Sequence, residues 1–300
     1  MKFNIKKFVM WIAIVMFASF AIAAIVLVVT GDFSIAREQI DESKTFDVQG
    51  VNEIYIDTVS TDINIIPTNK EEIEVHFYGE VSTNIKRVIP SLVAYKSGDE
   101  LRIEILQPKT FFIGFNIWRT KLDVYIPESS IEALKIETVS SDTSVSNLKV
   151  DKFSFGAVSG DFKGESLFAS DLKINSISGD ISLRDYTGNI NVDVVSGDIA
   201  LVDGSQNDNI EVVKVSGDVY IEQEDSSNMN ISSTSGDIEI NLSEDAQFYL
   251  KAKAISGHIE NRFPIKIISS GRRELEGIVG SDEKEIIVST TSGDIDIDYR

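Results

Sequence analysis

Cysteine is absent from this chain of 300 residues, and histidine occurs only at His76 and His258. The chain therefore forms no disulfide, has no thiol nucleophile and offers no cysteine ligand to a metal. The two histidines lie too far apart in sequence to form a local metal-binding motif. Basic residues are also few, 28 against 48 acidic ones, which gives a formal net charge of −20. This balance argues against nucleic acid as a partner, because phosphate binding requires a basic patch.

Long apolar runs are absent except at Phe8–Val29. At about 1.5 Å per residue this run can cross a hydrocarbon core of about 30 Å. Lys2, Lys6 and Lys7 precede it, and the positive-inside bias then places the N-terminus in the cytoplasm and the remainder outside. A cleaved signal peptide ending near Ala23 is the alternative, but the apolar run continues past that residue and exceeds the usual length. We predict a cytoplasmic tail (1–7) and an uncleaved single-pass helix (8–30) in the cell membrane.

A tripeptide, Ser-Gly-Asp, recurs along the second half of the chain. Intact copies begin at serines 159, 178, 196, 216, 235 and 292, and degenerate copies begin at serines 60, 140 and 256. From Ser140 onward the serines are 19, 19, 18, 20, 19, 21 and 36 residues apart, and the last step is close to two periods. A period near 20 residues predicts stacked supersecondary units. It also argues against an enzyme, because identical units form a scaffold rather than one reactive site.

Apolar residues alternate on both sides of each serine, which predicts strands with one buried face. Glycine permits a positive φ, while serine and aspartate can bond local backbone, so the tripeptide is predicted to form a corner between two strands. The fold class is therefore all-β, with a parallel β-solenoid of about 19-residue coils over residues 131–300. An antiparallel meander shares the alternation but explains less well why the triplet recurs once per unit in the same phase.

The part before the repeats is less regular. Residues 31–45 are polar and are predicted to form a stalk, and residues 46–130 an irregular N-terminal β-sheet that caps the solenoid. This part contains the most aromatic segment outside the predicted membrane helix, with Phe111, Phe112, Phe115 and Trp118. Burial over the end of the core is the simpler interpretation of these aromatics. A patch that binds sugar or a partner protein is the alternative.

The aspartates of the tripeptides would lie one above another in such a solenoid. Like charges one rung apart repel. Either each carboxylate is held by backbone donors, or cations such as Ca²⁺ lie between them. We favour backbone donors, because they explain every copy without a ligand. The alternative makes Asp161, Asp180, Asp198, Asp218 and Asp237 candidate cation ligands; no catalytic residue and no cofactor are predicted.

The Ser-Gly-Asp series, together with the strands Val51–Ile56 and Val124–Pro127, resembles a bacterial family of unknown function named "putative adhesin". The layout of a basic tail, one span and outer repeats is similar to the LiaG-type proteins of Gram-positive bacteria. The resemblance implies a β-rich extracytoplasmic solenoid and a role in a cell-envelope stress response. The chain departs from the pattern at Ser141 and His258, and between residues 262 and 285, where one copy has decayed into a loop.

Three functions follow as expectations. The first is a non-enzymatic, membrane-anchored surface protein that presents its solenoid to a cell-wall polymer or to another protein. The second is an accessory of an envelope-stress pathway, which would act through a membrane protein partner because a seven-residue tail cannot hold a signalling domain. The third, an enzyme acting on polysaccharide, rests on fold analogy and is the least favoured.

Overall fold

The computed structural model describes Ser19 and residues 36–83, 89–107, 117–128, 131–205, 209–224 and 226–299. Nearly all of these residues lie in strands. The strands are β1 (Ala36–Asp47), β2 (Glu53–Thr58), β3 (Asp62–Thr68), β4 (Glu72–Thr83), β5 (Ser91–Ser97), β6 (Glu100–Leu106), β7 (Ile117–Pro127), β8 (Ala133–Ser140), β9 (Thr143–Ser159), β10 (Phe162–Ser178), β11 (Ile181–Ser196), β12 (Ile199–Gly204), β13 (Asn209–Ser216), β14 (Val219–Gln223), β15 (Asn228–Ser235), β16 (Ile238–Leu242), β17 (Phe248–Ser256), β18 (Ile259–Asn261), β19 (Lys266–Ser270), β20 (Glu274–Val279), β21 (Glu285–Ser292) and β22 (Ile295–Tyr299).

In each coil two extended segments meet at a corner formed by the tripeptide. Strands β9, β10 and β11 each run unbroken from one corner to the next, so that each contributes its first part to one face and its last part to the other. Strands that end at the corner serine make one face of the rod, here the pre-corner face, and strands that follow it make the post-corner face. Adjacent coils pair in parallel and in register; Phe162 lies beside Ile181, and Ser178 beside Ser196. The all-β, parallel solenoid predicted from the repeat is thus confirmed, because a meander would pair its strands antiparallel.

The core is the space between the two faces. Four residues before successive serines, Ile174, Val192, Val212 and Ile231 are all fully buried. Three and five residues after the serine, aliphatic side chains close the core from the other face. The alternation in sequence therefore becomes two facing layers of apolar columns along the rod, with each coil covering the next.

A second bend lies seven residues after the serine in four coils. There the backbone has a positive φ at Asn147, Ser166, Asp185 and Asp203. This conformation is uncommon outside glycine and is best tolerated by asparagine and aspartate. The bend gives these coils a short third side before the chain enters the next pre-corner strand.

The spatial order of the last coils differs from their order in sequence. Strands β21 and β22, which end the chain, lie between β15/β16 and β17/β18, with Ser292 beside both Ser235 and Ser256. The coil of Ser256 is therefore the terminal coil of the rod. The order of the copies in sequence therefore does not give their spatial order at this end of the rod.

Residues 262–285, predicted to be a loop from a decayed copy, contain the hairpin β19–β20. Strand β20 pairs antiparallel with β17 and so continues the pre-corner face beyond the terminal coil. Its pairing partner β19 is exposed along its whole length, including Ile267 and Ile268. The segment caps this end of the rod because it covers the open backbone of β17.

The other end of the rod also differs from the prediction of an irregular cap over 46–130. Strands β2 and β3 form a regular coil whose corner begins at Ser60, and they pair in parallel with β8 and β9. Strands β6 and β7 add a further parallel layer on β2 and β3. Only β1, β4 and β5 run antiparallel to their neighbours here and act as the cap.

The described part of the predicted stalk, residues 36–45, belongs to β1. This strand pairs with β4 from Ala36↔Thr83 to Asp47↔Glu72, and Ile40 is 6% exposed in the core. A stalk was predicted because the segment is polar. An edge strand can also be polar, because it needs apolar residues on one face only. The predicted membrane helix, 8–30, lies outside the described residues except for Ser19. Within the part of the chain that is described, no helix is long and apolar enough to cross a membrane.

Gly236→Ala should destabilise the fold strongly. Gly236 has a φ of 126°, and a Cβ atom there would lie 1.8 Å from the carbonyl oxygen of Gly217. Backbone strain of this kind costs about 1–3 kcal/mol, and the clash adds to it. Gly271→Ala is the matched control, because nothing lies within 4 Å of its Cβ position. Thermal unfolding followed by circular dichroism should show a lower Tm for the first variant alone; equal Tm values would contradict the geometry.

Candidate functional site: the corner surface of the rod

The aspartates of the corners form a continuous column along one edge of the rod. We call it the carboxylate column; its members are Asp62, Asp142, Asp161, Asp180, Asp198, Asp218, Asp237 and Asp294. The backbone N–H of each aspartate donates to Oδ1 of the aspartate in the preceding coil, as from Asp180 to Asp161 (2.9 Å) and from Asp198 to Asp180 (2.8 Å). The ladder runs from Asp62 to the terminal coil.

Backbone donors therefore engage one oxygen of each carboxylate, which is the arrangement favoured from the sequence. Five members of the column are the residues proposed as cation ligands. Among the described residues, no group of three or more histidine or acidic side chains is arranged to hold a metal ion. Cation binding by the column stays a prediction, and the corners are explained without it.

The glycines of the corners bring neighbouring coils into direct backbone contact. The N–H of Gly197 donates to the carbonyl of Ser216 (3.2 Å), and the same bond joins Gly217 to Ser235 (3.1 Å). A Cβ atom on Gly197 would lie 2.1 Å from the carbonyl oxygen of Gly179. Glycine is required here for two reasons, its positive φ and the closeness of the neighbouring carbonyl.

The two corners without glycine use a cluster of hydroxyl side chains instead. Ser141 replaces glycine in its coil and is 3% exposed. Its Oγ lies 2.6 Å from Oγ1 of Thr138 and 3.3 Å from Oγ1 of Thr58, and it accepts from the N–H of Thr61 at 3.2 Å. Ser141 keeps the backbone bond of the corner, since its N–H donates to the carbonyl of Ser159 at 3.1 Å, and its side chain adds a buried hydrogen-bond cluster between two coils.

His258 replaces aspartate in the terminal coil. Its backbone N–H donates to Oδ1 of Asp294 at 2.7 Å and so completes the ladder. No further corner follows this coil in the described structure, so there is no next N–H for a carboxylate to accept. The departure at His258 therefore marks the spatial end of the column, although it is not the last copy in sequence.

Lys214 is the one charged side chain that points inward beneath the column in the described coils. It occupies the position two before the serine, where other coils have small residues, and it is 2% exposed. Its Nζ donates to the carbonyl of Asp218 at 2.5 Å and lies 4.0 Å from Oδ1 of Asp198. Burial lowers the pKa of Lys214 to about 8, and the carboxylates of Asp198, Asp218 and Asp180 oppose that shift.

A row of exposed aliphatic side chains runs beside the carboxylate column. These residues directly precede the corner serines, and we call them the aliphatic ridge: Val59, Val139, Val158, Ile177, Val195, Val215 and Ile255. Their exposure lies between 39% and 53%. Thr234 and Thr291 occupy the same position in the two coils between Val215 and Ile255. This surface is not evident from the sequence alone, because strand preference is enough to explain a β-branched residue before the serine.

The aromatic segment cannot be placed at this surface or at another. Phe111, Phe112 and Phe115 lie outside the described residues, and Trp118 belongs to β7 by its backbone alone. What the structure does show is the position of its ends. Gln107 directly follows β6, and its side-chain amide donates to Oγ of Ser60 at 3.0 Å; Ile117 begins β7. The proposed aromatic patch stays a prediction.

Comparison with known proteins gives a family and a fold. A family model described as Toastrack DUF4097 matches residues 51–298. A protein of Bacteroides fragilis described as a "putative adhesin" has a similar structure, with a TM-score of 0.54 at 15% identity over 87% of this chain and 97% of that one. One of Parabacteroides merdae, described in the same words, has a TM-score of 0.44 at 12% identity over 85% and 95% of the two chains. A comparison with curated proteins finds no match.

Asp161→Ala should lower the free energy of unfolding by about 1 kcal/mol, because it leaves the N–H of Asp180 without its acceptor. Asp161→Asn should have little effect, since the amide oxygen can accept the same bond. Urea denaturation with and without Ca²⁺ measures both, with the exposed Asp282→Ala as control. Two results together would favour cation binding by Asp161 over its role as a hydrogen-bond acceptor. They are an equal loss of unfolding free energy in the Ala and Asn variants, and stabilisation by Ca²⁺ of the wild type alone.

The stability of the rod should depend on pH through Lys214. Because its pKa in the folded state is depressed to about 8, the folded state loses this proton before the unfolded state does, and stability rises as the pH increases from about 8 toward the ordinary value of about 10.4. Lys214→Met removes the group. Between pH 7 and pH 10, the unfolding free energy of the wild type should therefore rise relative to that of the variant. Parallel pH curves for the two proteins would contradict a depressed pKa of Lys214.

Proposed function

We propose, from the premise that this chain belongs to the Toastrack DUF4097 family, that it is a non-enzymatic, membrane-anchored protein of the cell surface. Its solenoid lies outside the membrane and binds a component of the cell envelope. The apolar run Phe8–Val29, preceded by three lysines, supports the anchor and its orientation. The structural likeness to the Bacteroides fragilis protein supports the fold, and that protein's description agrees with a surface role.

One observation carries the proposal: the same corner is repeated through the coils, and its polar groups bond the coils to one another. The Oδ1 atoms of the aspartates accept the ladder bonds, and the serine carbonyls accept the glycine N–H groups. What each coil presents outward is the same short set of exposed side chains. Such a surface suits repeated contacts with an extended ligand better than chemistry at one point, which needs a single constellation of different groups.

The alternative is an accessory role in an envelope-stress response. In that role the protein would act through a membrane protein partner. In the accessory role the membrane span itself contacts the partner protein. In the surface-binding role the span only anchors the rod at the membrane.

The proposal is tested with the full chain expressed in a Gram-positive host. We expect it in the membrane fraction, with the rod digested by protease added to intact cells, and a variant without residues 8–30 should leave that fraction. The same protein should bind saturably to isolated cell-wall material. Recovery in the cytoplasm, or protection from external protease, would overturn the orientation. Correct orientation without wall binding would overturn the wall ligand and favour a membrane protein partner.

A further inference from the structure

The aliphatic ridge and the carboxylate column form one surface of mixed character. They are separated only by the serine and glycine of each corner, and both follow the parallel register of the coils. Rungs of a parallel stack are about 4.8 Å apart, so seven aliphatic and eight acidic side chains lie in two rows along the rod. Contiguous exposed apolar patches larger than a few hundred Å² are typical of interaction sites.

Acidic side chains lie on both flanks of the ridge in three coils of the rod. On one side is the carboxylate column, and on the other are Asp57, Glu137 and Asp193, each two residues before a ridge residue. Burial is the main cause that raises the pKa of Asp57, and the neighbouring carboxylates of Glu104 and Glu137 add to it, while Arg102 opposes it. Cations near these rows include the exposed Lys163, two residues after Asp161, and Lys253, two residues before Ile255. Lys214 is buried beneath the column, and His258 lies at its end.

We infer that the ridge binds a cationic amphipathic α-helix laid along the rod. Charge complementarity selects a basic partner, and the aliphatic row selects one with an apolar stripe. Helical side chains three and four residues apart advance about 5.4 Å along the axis per turn, close to the rung spacing of about 4.8 Å. Side chains on one face of an extended strand advance about 6.6 Å and lose register sooner. A second copy of this chain is disfavoured, because two acidic columns would face each other.

The inference goes beyond the proposed function and does not depend on where the protein resides. A purified chain either binds such a helix or does not, whatever its orientation in the membrane and whether or not it binds wall material. The two proposals therefore fail separately.

The test measures binding of a synthetic sixteen-residue peptide, four repeats of Lys-Leu-Leu-Lys, to the full chain in a non-ionic detergent, with detergent alone as blank. The ridge variant is Ile177→Ser with Val195→Ser and Val215→Ser, in three adjacent coils. The charge variant is Asp161→Asn with Asp180→Asn and Asp198→Asn, which keeps the acceptor oxygens of the ladder. Ile267→Ser with Ile268→Ser is the control, since it removes equally exposed isoleucines away from the ridge.

We expect saturable binding with a gain of peptide helicity, weakened about tenfold or more by the ridge and charge variants and unchanged in the control. Added salt should weaken binding further. Three results would overturn the inference: equal affinity of the ridge variant and the wild type, equal affinity for a Lys-Ser-Ser-Lys peptide, or self-association of the wild type that the ridge variant abolishes. The last result would make a second copy the occupant. Circular dichroism of each variant checks that the rod is folded.

Discussion

The close approach of neighbouring coils at the corner is the constraint on which the rest of this structure depends. A Cβ atom on a corner glycine would collide with the carbonyl oxygen of the glycine in the preceding coil. The distance between these two atoms would be 1.8–2.4 Å in the coils from Gly179 to Gly236. Parallel coils can pair through the corner only if that atom is missing and φ is positive. The carboxylate of the aspartate that follows then reaches the next coil and accepts the backbone N–H of the aspartate there. Glycine and aspartate thus solve one problem together, which explains why they recur as a unit.

Local chemistry that repeats in every copy could be predicted from the sequence. The apolar alternation around Ser178 and Ser196 gave the strands, and their fixed phase gave the parallel register that the structure confirms. Features present in a few copies could not be predicted in the same way. The bend at Asn147, Ser166, Asp185 and Asp203 has no single residue type, because the backbone there needs only tolerance of a positive φ. The polar segment in β1 was missed because an edge strand is specified by one face only.

The spatial order of the coils is the second feature that could not be predicted from the sequence. This order explains why His258 and Ser141 depart from the Ser-Gly-Asp pattern. The position of a copy in the sequence does not reveal that β21 and β22 lie between two earlier coils. The reason is that all copies present similar edges, so that one copy can pair with several others. Once the order is known, His258 stands at the end of the ladder, where no carboxylate is required. Ser141 lies one coil from the other end of the ladder, where a buried hydroxyl cluster with Thr58 and Thr138 joins its coil to the coil of Asp62. Both departures follow from the position of the coil rather than from loss of the repeat.

The carboxylate column also raises the question of why aspartate is used when the ladder needs only an acceptor oxygen. Two charges about 4 Å apart in water repel by about 1 kcal/mol. A hydrogen bond to an ionised acceptor is about twice as strong as a neutral one. These effects nearly cancel, so charge adds little to the joining of the coils. The negative potential along the rod is then a property of its surface more than of its stability, and it lies directly beside exposed aliphatic side chains that the core does not use. A basic partner with an apolar face would use both.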